Sequence, residues 1–125
     1  MSRVVAIVGS RSYPDLEAVR RFVRDLPSGT VVMSGGANGV DHAAETEAAR
    51  IGFKVVSVRP KYETHGPRAP LIRNAQIAKM CDEMVAFWQG ESTGTMHAVS
   101  CARRLGKPVR VIDYRTLAGG PDETR

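Results

Sequence analysis

Apolar runs divide the chain into short strands that alternate with amphipathic helices. Five runs have the length and the β-branched content of strands that are buried on both faces. They cover residues 3–8, 30–33, 54–58, 84–88 and 109–112. Between them apolar residues recur every three or four positions, as at Leu16, Val19 and Val23, which indicates four helices. This alternation predicts an α/β fold, a Rossmann-like three-layer sandwich with a five-stranded, mainly parallel sheet.

The connections between these elements set the expected domain organisation. Residues 1–113 form one predicted domain, and residues 114–125, which end in GGPDETR, form a short, loose C-terminal tail. The longest connection is 59–70, RPKYETHGPRAP, which is expected to be irregular and, at this length, to be a functional loop. A helix over 71–81 follows it.

Three polar loops follow the first, second and fourth predicted strands, at 9–12, 34–41 and 90–95. In a parallel sheet these loops meet at the carboxyl edge, where ligands of such folds bind. The last loop is the most informative, because a buried strand passes through Gly, Ser and Thr into a helix. Free N–H groups and the helix dipole at such a junction favour an anion, most often a phosphate.

Sixteen residues of these loops and of the third predicted helix are therefore candidates for ligand binding. They are Gly9, Ser10, Arg11, Ser34, Gly35, Gly36, Asn38, Gly39, Asp41, Arg73, Asn74, Gly90, Ser92, Thr93, Gly94 and Thr95. Ser12 and Asn38 are expected to cap the first and second helices. For Arg73 two interpretations stay open, a side chain that reaches the cleft and a solvated one.

Several chemistries are disfavoured by what the loops lack. None matches G-x-G-x-x-G, and no acidic residue ends the second strand, which argues against NAD. The 90–95 loop has no Walker A lysine, and the serines have no His/Asp set for a hydrolase triad. His42 and Glu45 lie one helical turn apart without a third ligand, so neither a metal nor a cofactor is expected.

Composition and charge narrow the partners. The 125 residues are 42% hydrophobic and 25% charged, as in an ordinary single globular domain, and the net charge of +5 favours anionic partners. Cys81 and Cys101 are expected to be free thiols. No apolar run reaches membrane-spanning length, and the N-terminus enters a strand at once without a signal peptide. We therefore expect a cytoplasmic protein with no membrane partner.

The ordered motifs resemble a known superfamily. They are GSR at 9–11, SGGAxGVD at 34–41, RN at 73–74, AFxxGxxxGT at 86–95 and GKPV at 106–109. Together they resemble the SLOG superfamily, a Rossmann-like group that includes the DNA-processing protein DprA and the cytokinin-activating LOG phosphoribohydrolases, and within it the YspA-like branch. The resemblance covers residues 3–112. It implies a pocket for a nucleotide or nucleotide-derived ligand, often in a homodimer.

The resemblance also indicates where an activity would be found. LOG-type enzymes carry P-G-G-x-G-T-x-x-E, and the position of its glutamate holds Ala98 here. Arg73-Asn74 resembles the Arg-Asn pair of the DprA branch. The phosphate-binding half of the motif is thus matched and the catalytic half is not, which leaves Glu91 and Asp41 as the only candidate carboxylates.

Three functions follow as alternatives. The leading one is a sensor or binding domain for a nucleotide or nucleotide-derived ligand at the carboxyl edge of the sheet. The second is hydrolysis of the N-glycosidic bond of a nucleoside 5′-monophosphate, which needs a carboxylate. The third is DprA-like binding of single-stranded DNA, for which Arg59, Lys61, Arg68 and Arg73 supply charge. Tyr13, Tyr62 and Trp88 are the aromatic residues expected to be placed for stacking, with Trp88 at the mouth of the crevice.

Overall fold

A five-stranded sheet forms the centre of the computed structural model, which describes residues 2–119. The strands are β1 (Val4–Gly9), β2 (Val31–Ser34), β3 (Lys54–Ser57), β4 (Glu83–Trp88) and β5 (Val109–Asp113). Their order is β3-β2-β1-β4-β5, and every pairing is parallel. The predicted α/β, Rossmann-like architecture is confirmed. The order reverses between β1 and β4, where such sheets leave a crevice.

Six helices accompany the sheet within residues 2–119. They are α1 (Leu16–Arg24), α2 (Val40–Arg50), α3 (Tyr62–His65), α4 (Ala69–Met80), α5 (Thr93–Arg104) and α6 (Tyr114–Gly119). Within residues 2–119, no helix combines the length and the apolar character that crossing a bilayer requires.

The period of two along β1 divides the core into two layers. Val5 and Ile7 belong to the layer that α1 and α2 cover, together with Val19 and Phe87. Ala6 and Val8 alternate with them and belong to the opposite layer, which α4 and α5 cover. Because β1 is buried on both faces, the loop that leaves its carboxyl end is fixed between the two layers.

The sequence predicted an irregular connection at 59–70, and this prediction is wrong. The connection contains the single turn of α3 and a 3₁₀ turn at Gly66–Arg68, and α4 begins at Ala69 rather than at residue 71. Pro70 fits the first turn of α4, where a missing N–H is tolerated. One helical turn is too short to show an apolar period, so the hydrophobic pattern did not reveal α3.

The expected helix caps are also wrong. Asp15 caps α1 by accepting a hydrogen bond from the Ala18 amide at 3.1 Å, whereas the Ser12 hydroxyl accepts one from Gln89 Nε2 at 2.8 Å. Gly39, at a φ of 78°, stands at the N-cap of α2 in place of Asn38. Tertiary contacts with neighbouring loops decided both positions.

Part of the expected loose tail is ordered. Residues 114–119 form α6, and the Tyr114 ring packs edge-on against Tyr13 with 5.6 Å between the ring centroids. This aromatic contact attaches the segment to the core layer of α1 and α2. Residues 120–125 lie outside the described part of the chain, and the boundary at residue 113 stays a prediction.

Candidate functional site

The three predicted loops converge on one cleft of about 360 Å³ at the point where β1 and β4 separate. We call it the central cleft. Its lining residues are Val8, Gly9, Arg11, Ser12, Gly35, Ala37, Asp41, Pro70, Leu71, Arg73, Asn74, Ile77, Gln89, Ser92, Gly94, Thr95 and Ala98. Its floor is apolar, formed by Val8 and Ile77, while the loops around it are polar. Nine of the sixteen predicted ligand-binding residues are therefore brought together.

The other seven predicted residues lie outside this lining. Gly36 and Asn38 line a neighbouring cleft. The Ser34 hydroxyl is buried and donates to the Ile7 carbonyl at 2.7 Å, which joins β2 to β1. The remaining four are Ser10, Gly39, Gly90 and Thr93. Most of these residues shape the loops instead of facing the cleft.

Gln89 is a site residue that the sequence analysis missed. Its Oε1 accepts a hydrogen bond from the Ser10 hydroxyl at 2.6 Å and from the Ser92 amide at 3.1 Å. Its Nε2 donates to the Ser12 hydroxyl at 2.8 Å. One side chain thus connects the β1–α1 loop to the start of α5. Its position directly after a buried strand was the only sequence signal, and a neutral amide did not stand out there.

Two glycines bring the loops into direct contact. A Cβ on Gly9 would lie 2.6 Å from both the Phe87 carbonyl and Val40 Cγ2. Gly39 has a φ of 78°, and a Cβ there would lie 2.4 Å from the carbonyl oxygen of Arg11. Only glycine permits this approach, which packs the start of α2 against the loop that carries Arg11.

Backbone amides of the β2–α2 loop donate hydrogen bonds to carboxylates of α2. The Asp41 Oδ2 atom accepts hydrogen bonds from Gly35 N at 3.1 Å and from Ala37 N at 3.3 Å. The Glu45 Oε2 atom accepts one from Gly36 N at 3.0 Å. These paired glycines therefore form a wall of the cleft, and an anion has to find its donors elsewhere.

Of the residues that the structure describes, Asp41 is the one carboxylate in the lining of the central cleft. Burial raises its pKa to about 6, although the two amide hydrogen bonds and the charge of Arg73 act in the opposite direction. Glu45 adds a smaller upward shift of the same pKa. The Oδ1 atom of Asp41 is buried and has no hydrogen-bond partner in the described chain. Because the pKa of Asp41 is raised to about 6, the charge of this carboxyl, and with it the charge of the cleft, changes with pH in that range.

Arg73 reaches the central cleft, which decides between the two interpretations left open by the sequence. Its Nε donates to Asn74 Oδ1 at 2.8 Å and its Nη1 donates to the Gly35 carbonyl at 2.5 Å. Burial lowers the pKa of the guanidinium, and Asp41 opposes that shift. Arginine stays charged under such conditions. Asn74 Nδ2 in turn donates to the Gly94 carbonyl at 3.3 Å, which ties α4 to α5.

The N-terminus of α5 supplies hydrogen-bond donors at the cleft. Ser92 Oγ caps the helix by accepting from Thr95 N at 3.2 Å. Within residues 2–119, no protein acceptor is found for the Thr93 and Gly94 amides, and no acidic residue occupies the first turn. Of these two residues Gly94 lines the central cleft, so its amide, the helix dipole and Arg73 form a site suited to an anion.

A second cleft of about 350 Å³ adjoins the central one. Both clefts are lined by Arg11, Gly35, Ala37, Pro70 and Arg73. The second cleft adds Arg59, whose Nη1 donates to the Gly36 carbonyl at 3.3 Å, and Tyr62, whose side chain is 54% exposed. No acidic residue lines it. The two clefts form one continuous surface around Arg11 and Arg73.

Other predicted positions are placed less favourably. Glu91 is exposed and outside the lining, whereas Ala98 is buried and lines the central cleft. Trp88 was expected at the mouth of the cleft, but it is not among the lining residues. Its Nε1 donates to the Ser92 carbonyl at 3.1 Å, and the Arg115 guanidinium lies over its ring, 4.9 Å from the ring centroid. Residues 2–119 contain no cluster of three potential metal ligands.

The fold and the site define a Rossmann-like α/β protein with an arginine-containing cleft at the switch point of its sheet. The family model of DNA recombination-mediator protein A matches residues 1–68, from β1 to the 3₁₀ turn before α4. The chain is also 36% identical over 117 residues to the Gene 61 protein of Mycobacterium phage D29, which covers 86% of this chain and 94% of that protein. The chain belongs to the family of DNA recombination-mediator protein A.

Solved structures share the fold. DprA from Streptococcus pneumoniae is 21% identical with a TM-score of 0.75 over 94% of this chain, and TM1055 is 24% identical with a TM-score of 0.65 over 86% of it. DprA from Helicobacter pylori, whose structure concerns its single-stranded DNA binding mode, is 22% identical with a TM-score of 0.65 over 87%. The chain spans 57% of the S. pneumoniae protein, 72% of TM1055 and 64% of the H. pylori protein. The family match agrees with the predicted SLOG resemblance, and these neighbours share the predicted Rossmann-like fold.

Proposed function

We propose that the protein binds single-stranded DNA, with the phosphate of one nucleotide in the central cleft. The observation that carries the proposal is the pair Arg11 and Arg73, which line both clefts and form no ion pair within the described chain. Gly94, whose amide lies at the start of α5, lines the central cleft with them. Guanidinium groups and helix amides together are the donors that phosphate oxygens accept from.

The shape of the site supports a strand more than a free mononucleotide. The second cleft continues from the central one and adds a third guanidinium and an exposed aromatic ring, those of Arg59 and Tyr62. A charged groove with an aromatic surface is how proteins hold single strands without reading their sequence. Membership of a family of DNA recombination mediators, and the DNA binding of the H. pylori protein, point to the same ligand.

Fluorescence anisotropy with a 5′-labelled oligothymidylate tests this proposal. We expect saturable binding that weakens as salt rises, with a slope of about 0.7 per phosphate contact in a plot of log affinity against log salt. Arg11→Gln should reduce affinity about tenfold, because it removes a guanidinium that lines both clefts. The matched control is Arg103→Gln, which removes an exposed charge on α5 outside both clefts. No binding by the unaltered chain, or an equal loss in the control, would overturn the proposal.

A free nucleotide is the second candidate. The central cleft alone has the volume of a small-molecule pocket. Competition separates the two ligands. A nucleoside monophosphate that displaces the oligonucleotide at a similar concentration, and raises the melting temperature equally, would favour the free nucleotide.

The hydrolytic alternative depends on a carboxylate in the central cleft. Ala98 occupies the position of the LOG-type glutamate and lines the cleft, so a methyl group stands where that carboxylate would act. Asp41 is the remaining carboxylate there. Release of free base from a nucleoside 5′-monophosphate, lost on Asp41→Asn, would support turnover. We expect no release.

The homodimer and the cytoplasmic location are proposals that rest on the resemblance and on the sequence. Light scattering of the purified chain measures its mass directly. A mass of about twice 13.6 kDa would support the dimer.

A further inference from the structure

A third cleft lies beside the exposed edge of the sheet at β3. It has a volume of about 440 Å³ and is lined by the end of β3, by Arg59 and Lys61, and by Gln76, Lys79 and Met80. β3 is an edge strand, paired only with β2 in the sheet order. The far wall is the outer side of α4. The proposed DNA site in the central and second clefts does not include this surface.

The three clefts are connected through shared side chains. Arg11 and Arg73 line the central and the second clefts, and Arg59 lines the second and the third. A ligand that leaves the central cleft along these arginines therefore arrives at Lys61 and Lys79. The connection runs from the switch point of the sheet across the carboxyl ends of β2 and β3.

The charge along this connection is of one sign. Five cationic residues line it: Arg11, Arg73, Arg59, Lys61 and Lys79. None of them forms a salt bridge within residues 2–119, whereas Arg3, Arg24, Arg50 and Arg115, on other surfaces, are paired with carboxylates. Cationic side chains that the fold leaves unpaired along a groove are free to contact phosphates.

The carboxylates near this connection are Asp41, Glu45 and Glu63, and Glu63, on α3, lines none of the three clefts. Asp41 lines the central cleft and accepts hydrogen bonds from two loop amides. Glu45 lies next to the second and third clefts and accepts from Gly36 N at 3.0 Å and from Ser57 Oγ at 3.1 Å. Among the described residues, no acidic one lines the second or the third cleft. Phosphates therefore meet little opposing charge between the central cleft and Lys79.

Apolar surface accompanies the charge. Tyr62 is 54% exposed in the second cleft, and Met80 is 49% exposed in the third. A strand with its bases unstacked presents flat apolar faces, and an exposed ring and a thioether offer surface for them. A mononucleotide would leave this surface unused. The combination fits an extended single strand longer than the central cleft holds.

We propose that a single strand of DNA continues from the central cleft through the second cleft into the third, where Lys61 and Lys79 contact its phosphates. The inference rests on the proposed function and assigns the direction in which the strand leaves the site, along the β3 edge of the sheet. It gives Lys61, Lys79 and Met80 a role in binding longer strands. Residues of the central cleft bind strands of every length.

The test compares a short and a long oligothymidylate, of about 4 and about 16 nucleotides. The variant is Lys61→Gln with Lys79→Gln, and the matched control is Arg103→Gln with Arg104→Gln, which removes two exposed charges from the end of α5. All four side chains are exposed, so both double variants should fold. For the long strand we expect about a tenfold loss in affinity and a salt slope smaller by about 1.4 in the lysine variant only. Its affinity for the short strand should be unchanged.

Each outcome has a separate meaning. An unchanged salt slope and an unchanged preference for the long strand in the lysine variant would overturn the inference and leave the proposed function intact. An equal loss in the arginine control would also overturn it, because binding would then follow net charge. If the unaltered chain binds neither oligonucleotide, the proposed function itself fails.

Discussion

Asp41 and Arg73 hold the two polar groups of the same residue, Gly35. The Asp41 carboxylate accepts from the Gly35 amide at 3.1 Å, and the Arg73 guanidinium donates to the Gly35 carbonyl at 2.5 Å. A Cβ at Gly35 would lie 2.5 Å from Arg73 Nη1 and 2.9 Å from Asp41 Oδ2, so both charged side chains approach because this residue is glycine. The wall of the central cleft is therefore fixed by the side chains that also set its charge.

Replacing Arg73 should lower stability and DNA affinity even when the positive charge is kept. Arg73→Lys keeps the positive charge but lacks the planar guanidinium that contacts Asn74 and Gly35 at once. We expect it to lower the free energy of unfolding by about 1 to 2 kcal/mol and to weaken DNA binding about tenfold. Denaturant titration and anisotropy measure the two effects. Arg103→Lys, an exposed change on α5 outside the clefts, is the control, and an equal effect there would contradict the assignment.

Asp41 should make stability depend on pH in an unusual direction. Because its pKa is raised to about 6, the folded chain holds this proton more tightly than the unfolded chain between about pH 4 and pH 6. The contribution of Asp41 to stability is complete below pH 4 and is lost as the pH rises through 6. Asp41→Asn, which keeps an acceptor for the loop amides, should therefore gain stability relative to the unaltered chain by about 3 kcal/mol between pH 4 and pH 7.

Urea titrations of both chains at pH 4 and pH 7 measure this difference. Comparing the two chains cancels the other titrating groups, which are common to both. A difference in unfolding free energy that is the same at both pH values would show that Asp41 titrates normally.

Gly39 and Gly29 form a matched pair for the packing of the cleft. Both have a positive φ, of 78° and 83°, but a Cβ on Gly39 would lie 2.4 Å from the Arg11 carbonyl while nothing lies within 4 Å of one on Gly29. Gly29→Ala should cost about 1 kcal/mol from backbone strain alone. Gly39→Ala should cost about 2 to 4 kcal/mol and displace the loop that carries Arg11. Thermal unfolding compares them, and equal losses would mean that the loop adjusts freely.

Gln89 should stabilise the contact between the β1–α1 loop and the start of α5 mainly through its acceptor oxygen, Oε1. Gln89→Leu leaves the buried Ser10 hydroxyl without its partner, and we expect a loss of about 2 kcal/mol in unfolding free energy. Gln89→Glu retains an acceptor for Ser10 and for the Ser92 amide, so its loss should stay below about 1 kcal/mol. If the two variants lose the same stability, the hydrogen bonds of Gln89 are not what holds the two loops together.

Much of the fold was predictable because its signals are local. Continuous β-branched runs identified β1, β2, β3, β4 and β5 to within a residue or two at each end, and apolar periodicity identified α1, α2, α4 and α5. Their alternation required parallel strands joined by helical crossovers. That requirement in turn placed the loops after β1, β2 and β4 at one edge of the sheet.

The roles of individual polar groups were not predictable. Whether the Gly35 and Gly36 amides face a ligand or donate internally depends on where Asp41 and Glu45 reach, and that is decided by the rotation of α2 against the sheet. The connection by Gln89 joins residues 79 positions apart, from Ser10 to Gln89. Contacts over such separations have no counterpart in a local pattern.

The sequence by itself determined the architecture and the edge at which a ligand would bind, because strand burial, helix periodicity and glycine-rich turns act over a few residues. The tertiary structure alone decided which donors stay free, since each loop amide is either used by a neighbouring carboxylate or left open at the start of α5. It also decided that Arg11, Arg73, Arg59, Lys61 and Lys79 follow one another along connected clefts. These cations come from the β1–α1 loop, the 59–70 connection and α4, and only the tertiary packing brings these segments together along one edge of the sheet.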